Sequence, residues 1–258
     1  MAPTRQLRAL GVVMPVHNEE SVVTSALEAI DHAIRRLPSG IDCRVAVVLD
    51  SCEDSSSKRV AQWSTGSSAL VLCSRGRNVG RARKKGCEAL VSAFCEFDRN
   101  AIWLATTDAD SVVPEEWLRV QAACFEEGVD VWAGRVGIAD RTERTPGVIA
   151  RWKKLYASER RPVHGASLGF AANAYVELNG FRALRSGEDR DLYERAQDIG
   201  LRVHHDTRAV VMTSARRQAR APHGFGRALD ALVEVPREPP FAGTPLIRAR
   251  GIPGPACS

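Results

Sequence analysis

The sequence predicts an α/β fold: a mainly parallel, Rossmann-like central sheet flanked by helices, in a single domain that ends in an irregular tail. Three observations carry this. Short apolar runs alternate with amphipathic stretches through the first two-fifths of the chain. The runs are continuous rather than polar-apolar alternating, as strands covered on both faces must be. Each is followed by a polar turn and a helix-period pattern, the repeating unit that a parallel sheet requires.

Taken in order, Leu10–Val16 reads as a buried strand. Asn18 follows as a helix N-cap, with Glu19 and Glu20 in the favourable first turn. Val23, Leu27, Ile30, Ile34 and Leu37 recur at helical spacing until Pro38-Ser-Gly40 stops the pattern. Arg44–Leu49 is the second strand, with a helix near Ser56 to Trp63. Ala69–Cys73 is the third strand, with a helix from about Arg81 to Phe97, and Ile102–Thr107 is the fourth. Pro114–Glu127 reads as a helix capped by Ser111, with the proline in its first turn. Val129–Ile138 reads as a strand, Val148–Arg161 as a basic helix, and Gly165–Ala172 as a Gly/Ala-rich strand. Arg190–Ile199 is a helix and Arg202–Met212 a strand. Residues 8–214 thus form the expected folded domain. Residues 215–258 hold seven of the 13 prolines and a run of arginines, with room for one short helix (Phe225, Leu229, Leu232, Val233).

Composition narrows the function classes. With 44% hydrophobic and 26% charged residues among 258, the chain is neither disordered, collagenous nor a coiled coil. No run approaches the roughly 18–20 apolar residues of a membrane span. The first residues lead directly into a strand without a leader pattern, so the expectation is a cytoplasmic protein. Seven scattered cysteines, none in a C-x-x-C pair, point to reduced buried thiols rather than disulfides or zinc. The net charge of +5 fits nucleic acid, anionic lipid or a diphosphate-bearing substrate. Aromatic residues are sparse among the tail arginines, which argues against nucleic acid. At most a peripheral membrane contact through the tail is expected.

Four segments carry candidate chemistry. Asp108-Ala-Asp110 follows the fourth strand, where two carboxylates can share a divalent ion that also binds phosphate oxygens; a helix-start cap is the plain alternative. Arg81, Arg83, Lys84 and Lys85 crowd a helix N-terminus, where cations are unfavourable unless an anion offsets them. Solvated side chains would also account for them. In Ser186-Gly-Glu-Asp-Arg-Asp191, Glu188 or Asp189 is a candidate general base, against a Ser186–Asp189 capping box. His204-His205-Asp206 offers metal ligands, but adjacent strand residues face opposite ways and do not readily share one ion.

Read in order, the motifs resemble glycosyltransferase family 2 with the GT-A nucleotide-sugar fold. The segments are Val13-Met-Pro-Val-His-Asn-Glu-Glu20, Val47–Asp54, Asn78-Val-Gly-Arg-Ala-Arg83, Thr107-Asp-Ala-Asp110, Pro114–Leu118, Gly165–Phe170, Asn179-Gly-Phe181 and Gly187–Leu192. They span about residues 10 to 213. The resemblance implies that Pro15, His17 and Glu19 flank the base and ribose, with Asp50 near the base. It implies that Asp108 and Asp110 hold a divalent cation, Mn²⁺ or Mg²⁺, with Asp110 the direct ligand. Arg81 or Arg83 would approach the diphosphate and Asp189, beside Glu188, would be the base. The implied reaction is inverting, metal-dependent sugar transfer from a nucleotide sugar, a UDP-sugar foremost, to a small-molecule or lipid-phosphate acceptor.

Two departures stand out. Ser51 replaces a second aspartate common in the family, and Val211-Met-Thr-Ser214 lacks a late-strand histidine, leaving a third metal ligand unassigned. His204, His205 or His223 could stand in only hypothetically. Competing readings are a nucleotidyltransferase, which would want a Gly-rich loop where Pro15–Asn18 stands, and a catalytically silent basic binding module.

Overall fold

The structure, a computed structural model, describes residues 5–65, 69–139, 144–159, 161–214 and 232. In chain order the strands are β1 (Ala9–Val16), β2 (Asp42–Asp50), β3 (Ala69–Ser74), β4 (Ile102–Thr106), β5 (Ser111–Val112), β6 (Val131–Ile138), β7 (Leu168–Ala171) and β8 (Val203–Thr213). The helices are α1 (Val23–Arg35), α2 (Ser56–Ser64), α3 (Val79–Ala93), α4 (Trp117–Glu126), α5 (Pro146–Ser158), α6 (Ala172–Glu177) and α7 (Glu188–Asp198). All eight strands join one sheet in the order β3-β2-β1-β4-β7-β6-β8-β5.

The half from β3 to β4 is parallel throughout. Beyond it β7 runs antiparallel to both β4 and β6, β8 pairs parallel with β6, and β5 closes the far edge against β8. Strand β1 shows why the expected parallel half forms. Leu10, Val12, Met14 and Val16 enter one core with α1, while Ala9 and Val13 enter the other with Cys87 and Leu90 of α3. A strand buried on both faces must be apolar at every position. Helix α3 can lie close because Gly86 faces Val13, where an added Cβ would stand 2.5 Å from a valine methyl.

Most element expectations hold to within a few residues; three expected helix caps do not form. Helix α1 begins at Val23 and has no side-chain cap. Asn18 instead sits in a left-handed turn, φ 52°, and accepts a hydrogen bond from the Glu53 N–H at 2.8 Å. Helix α4 begins at Trp117, because Ser111 and Val112 pair with β8 as an edge strand rather than capping a helix. Helix α7 begins at Glu188 after Gly187, φ 77°, and no side chain caps it, so the Ser186–Asp189 box does not form. Helix α3 ends at Ala93, four residues short of Phe97. The stretch expected as one strand over 165–172 is a 3₁₀ turn, the short strand β7 and the start of α6. The expected tail helix falls outside the described residues apart from Leu232, and so do His223 and Cys257. The six described cysteines are all free thiols, and burial pushes those of Cys43 and Cys87 up to about 12. No helix among the described residues is long and apolar enough to cross a membrane.

Candidate active site

The carboxyl ends of β1, β2 and β4 converge, and open α/β sheets bind ligands at such an edge. The turns after β1 and β2 are stitched together. His17 Nδ1 lies 2.7 Å from the Asp50 carbonyl oxygen, and the Glu19 N–H donates to Ser56 Oγ at 2.7 Å. The Glu20 N–H donates to Asp54 at 3.0 Å, and Glu20 accepts from the Ser55 N–H at 2.9 Å. His17 and Glu19 are thus tied to the turn that follows β2, and Pro15 lies on β1 beside Val48 of β2. Asp50 itself is buried, and its carboxylate accepts the N–H groups of Gly76, Arg77 and Asn78 at 2.9, 3.1 and 2.7 Å. It holds the turn that launches α3, whose first residues Asn78 caps by accepting from the Arg81 N–H.

Arg83 lies on the inner face of α3 and is almost wholly buried at 3% exposure. One guanidinium nitrogen donates to Asp108 after β4, the other to Glu188 at the start of α7. Burial works against its charge, but Asp108, Glu188 and Asp189 outweigh that and hold its pKa above the ordinary arginine value. Burial also raises the Glu188 carboxyl above its usual range, with Arg83 acting against and Asp189 and Asp108 acting with it. Arg81 faces outward, in a cavity with Lys84 and Arg182. Of the two arginines expected at a diphosphate, one thus meets the carboxylates and the other lies outside them.

Gly165 ties the parts together. Its carbonyl accepts from Thr106 Oγ1 at 2.8 Å, and its N–H donates to Asp189 Oδ2 at 2.7 Å. An added Cβ would lie 2.3–2.4 Å from the Arg83 guanidinium, so only glycine lets the arginine lie flat there. Asp189 is consequently held by the N–H groups of Gly165 and Arg190, not by the expected pairing with Ser186. Reading the sequence missed Gly165, although it sits inside a quoted motif; a glycine just before a strand was the available signal. It also missed His164, whose ring is buried and pushed below the usual histidine range by that burial, with Asp189, Glu159 and Asp108 pulling it back up.

Asp108 and Asp110 fit a hard divalent cation, since carboxylate oxygens suit Mg²⁺ and Mn²⁺. Asp108 stays 35% exposed although one oxygen meets Arg83. The Asp110 carbonyl accepts from the Ser214 N–H at 3.1 Å, so the end of β8 does come beside it, bearing hydroxyls rather than a histidine. His204 and His205 lie at the other end of β8. His205 pairs with Ala133 and Thr213 with Ile138 of β6, a separation of roughly 17 Å at 3.3 Å per residue. They cannot join Asp110 around one ion. His205 Nε2 instead lies 2.6 Å from the Tyr193 hydroxyl. His204 approaches Asp206 and Cys124, but Arg208 donates to both of these and fills the gathering.

Against known proteins, the family model described as Glycosyl transferase family 2 matches residues 11–175. No curated sequence matches the chain. Solved structures do. S. aureus TarS, residues 1–349 in complex with UDP-GlcNAc, is 14% identical with a TM-score of 0.62, covering 87% of this chain and 66% of that one. The mannosyltransferase PcManGT from Pyrobaculum calidifontis, in complex with GDP-Man and Mn²⁺, is 18% identical with a TM-score of 0.60, covering 84% of this chain and 60% of that one. The fold is that of the GT-A proteins, and the chain spans about two thirds or less of these neighbours' lengths.

Proposed function

The chain belongs to glycosyl transferase family 2, and from that membership we propose that it moves a sugar from a nucleotide diphosphate sugar to an acceptor hydroxyl, inverting the anomeric centre. Asp189 is the base, and Asp108 and Asp110 hold a divalent cation. The observation that supports this most is the Asp108–Arg83–Glu188 bridge, which ties the Asp-x-Asp segment after β4 to the start of α7, where Asp189 accepts from the Gly165 N–H. The neighbours' bound UDP-GlcNAc and GDP-Man favour a nucleotide sugar as donor.

In this reading Pro15, His17 and Glu19 bound the base and ribose, and Asp50 shapes their wall by holding the 76–78 turn. A divalent cation, when bound, supplies positive charge against the leaving diphosphate. Asp110 is its protein ligand, and Asp108 orients between that position and Arg83. Asp189, held by the Gly165 N–H, accepts the acceptor proton as the hydroxyl attacks the anomeric carbon from the face away from the diphosphate. Glu188 keeps Arg83 in place and so keeps Asp108 aimed.

A thermal-shift series with UDP, GDP, dTDP and CDP sugars, each with and without Mn²⁺, tests the donor half. One nucleotide sugar should raise the melting temperature only with the metal, and Asp110→Ala should lose the rise, because a ligand stabilises the state it binds. No rise with any donor would refute the reading. The anomeric configuration of the product, read by NMR, tests inversion.

A further inference from the structure

Outside the cleft, one polar cluster has a cation at its centre and no part in the chemistry above. Cys124 of α4 and His204 and Asp206 of β8 bring a sulfur, a ring nitrogen and a carboxylate oxygen within 4.8 Å of one another. The Arg208 guanidinium stands among them. We propose that these three residues form a zinc-class metal site, separate from Asp108 and Asp110, which a thiophilic divalent cation enters by displacing Arg208.

The first argument is geometry. Residues two apart on a strand share a face, so His204 and Asp206 point the same way, as His204 and His205 do not. Asp206 Oδ2 lies 3.6 Å from His204 Nε2 and 3.8 Å from Cys124 Sγ. A tetrahedral ion about 2.3 Å from sulfur and about 2.0–2.2 Å from nitrogen or oxygen sets its ligand atoms about 3.3–3.6 Å apart. Two edges of the site therefore nearly match. The third shortens as the His204 side chain, 44% exposed, turns in.

The second argument is the cation already there. Arg208 Nη2 donates to Cys124 Sγ at 3.2 Å and to Asp206 Oδ2 at 2.6 Å, so one positive nitrogen stands between two buried ligands. The Asp206 carboxylate, the Cys124 thiol and the guanidinium sum to zero charge. When a divalent ion replaces the guanidinium, the thiol gives its proton to solvent, and carboxylate, thiolate and ion again sum to zero. The exchange strands no buried charge. Arg208, 55% exposed, swings into water. Asp206 keeps its aim meanwhile: Oδ1 accepts the Arg208 backbone N–H at 2.7 Å, and Trp132 Nε1 donates to Oδ2 at 3.2 Å. Such outer partners orient a ligating carboxylate.

The third argument is the donor set. A thiolate, an imidazole and a carboxylate suit zinc-class ions, whereas Mg²⁺ and Mn²⁺ favour oxygen alone. Three protein ligands leave a fourth position for water, on the side where His204 and Arg208 reach solvent.

The test titrates cobalt(II) chloride into the full chain under reducing conditions and follows absorbance, with zinc or magnesium chloride as competitor. Wild type and Asp110→Ala should both show a thiolate-to-cobalt charge-transfer band, which zinc erases and magnesium does not. Cobalt held by Asp108 and Asp110 gives no such band, because both are carboxylates. Cys124→Ser should abolish the band. His204→Ala alters a half-exposed side chain and should weaken cobalt binding about tenfold or more, so the site is tested even if Cys124→Ser folds poorly. Arg208→Ala should tighten binding about tenfold, because the competing charge-assisted hydrogen bonds are gone. No band in wild type, a band unchanged by the Cys124 and His204 substitutions, or no tighter binding by Arg208→Ala overturns the proposal. The transferase reading is judged apart from it, by the metal-dependent nucleotide shift that Asp110→Ala should lose.

Discussion

Arg83 is the residue on which the most interactions converge. Its two terminal nitrogens serve two different carboxylates, one of them buried at 4% exposure. Arg83→Met would leave Asp108 and Glu188 facing each other with no counter-charge, which costs about 3–5 kcal/mol when a buried pair loses one partner. Urea unfolding should show that loss, and Glu188→Gln in the same background should recover about 1 kcal/mol by removing the stranded charge. Arg83→Lys should not restore activity, because one ammonium cannot span both acids as a fork does. Asp189→Asn should keep the fold and donor binding but lower kcat by about 10²–10⁴, the usual worth of a general base. The Asp-x-Asp pair was legible because its spacing after a strand is itself the signal. The direction of Arg83 was not: four cations share one turn of α3, and only packing against Phe181, Gly165 and Glu188 turns this one inward.

At the scale of elements, the parallel half was readable from apolar runs, whereas helix starts were misread wherever a capping residue had a tertiary partner. Asn18 stitches two turns, Ser111 bonds Thr213 at 2.9 Å across a strand pair, and Asp189 reaches to Gly165. Asn18 and Asp189 satisfy backbone N–H groups elsewhere in the fold and Ser111 a hydroxyl, where a local reading assigns each to its own helix. Asn78 is the exception, because it caps α3 as its type predicts and also holds Leu184. The two duties can be separated. Asn78→Ala should cost about 1 kcal/mol from the lost cap. Asn78→Ser keeps a capping oxygen and should recover most of that stability. Both variants lose the Leu184 link, so both should loosen residues 182–187, seen as faster amide exchange there with unchanged exchange in α4.

The whole molecule divides its polar clusters between the two ends of β8. At the carboxyl end, Thr213 meets Ser111 and Ser214 meets Asp110. At the amino end the buried Asp206 gathers Arg208, Trp132 Nε1 at 3.2 Å and Cys124. Burial alone would raise the Asp206 carboxyl, but the Arg208 side chain and N–H bind its charged form and bring it down to about 2. A depressed carboxylate stabilises the fold above its ordinary pKa of 3.8 and loses that contribution as pH falls through about 2. Because Arg208 is 55% exposed, water screens the pair and the contribution at neutral pH is about 1–2 kcal/mol. Urea unfolding followed from about pH 5 to about pH 2 should show wild type losing stability more steeply than Asp206→Asn, the two curves converging at the acid end. At neutral pH the same variant should be less stable yet turn over at the wild-type rate, because its site lies the length of β8 away from Asp110. A parallel loss of kcat would mean that the two ends of the strand are mechanically coupled.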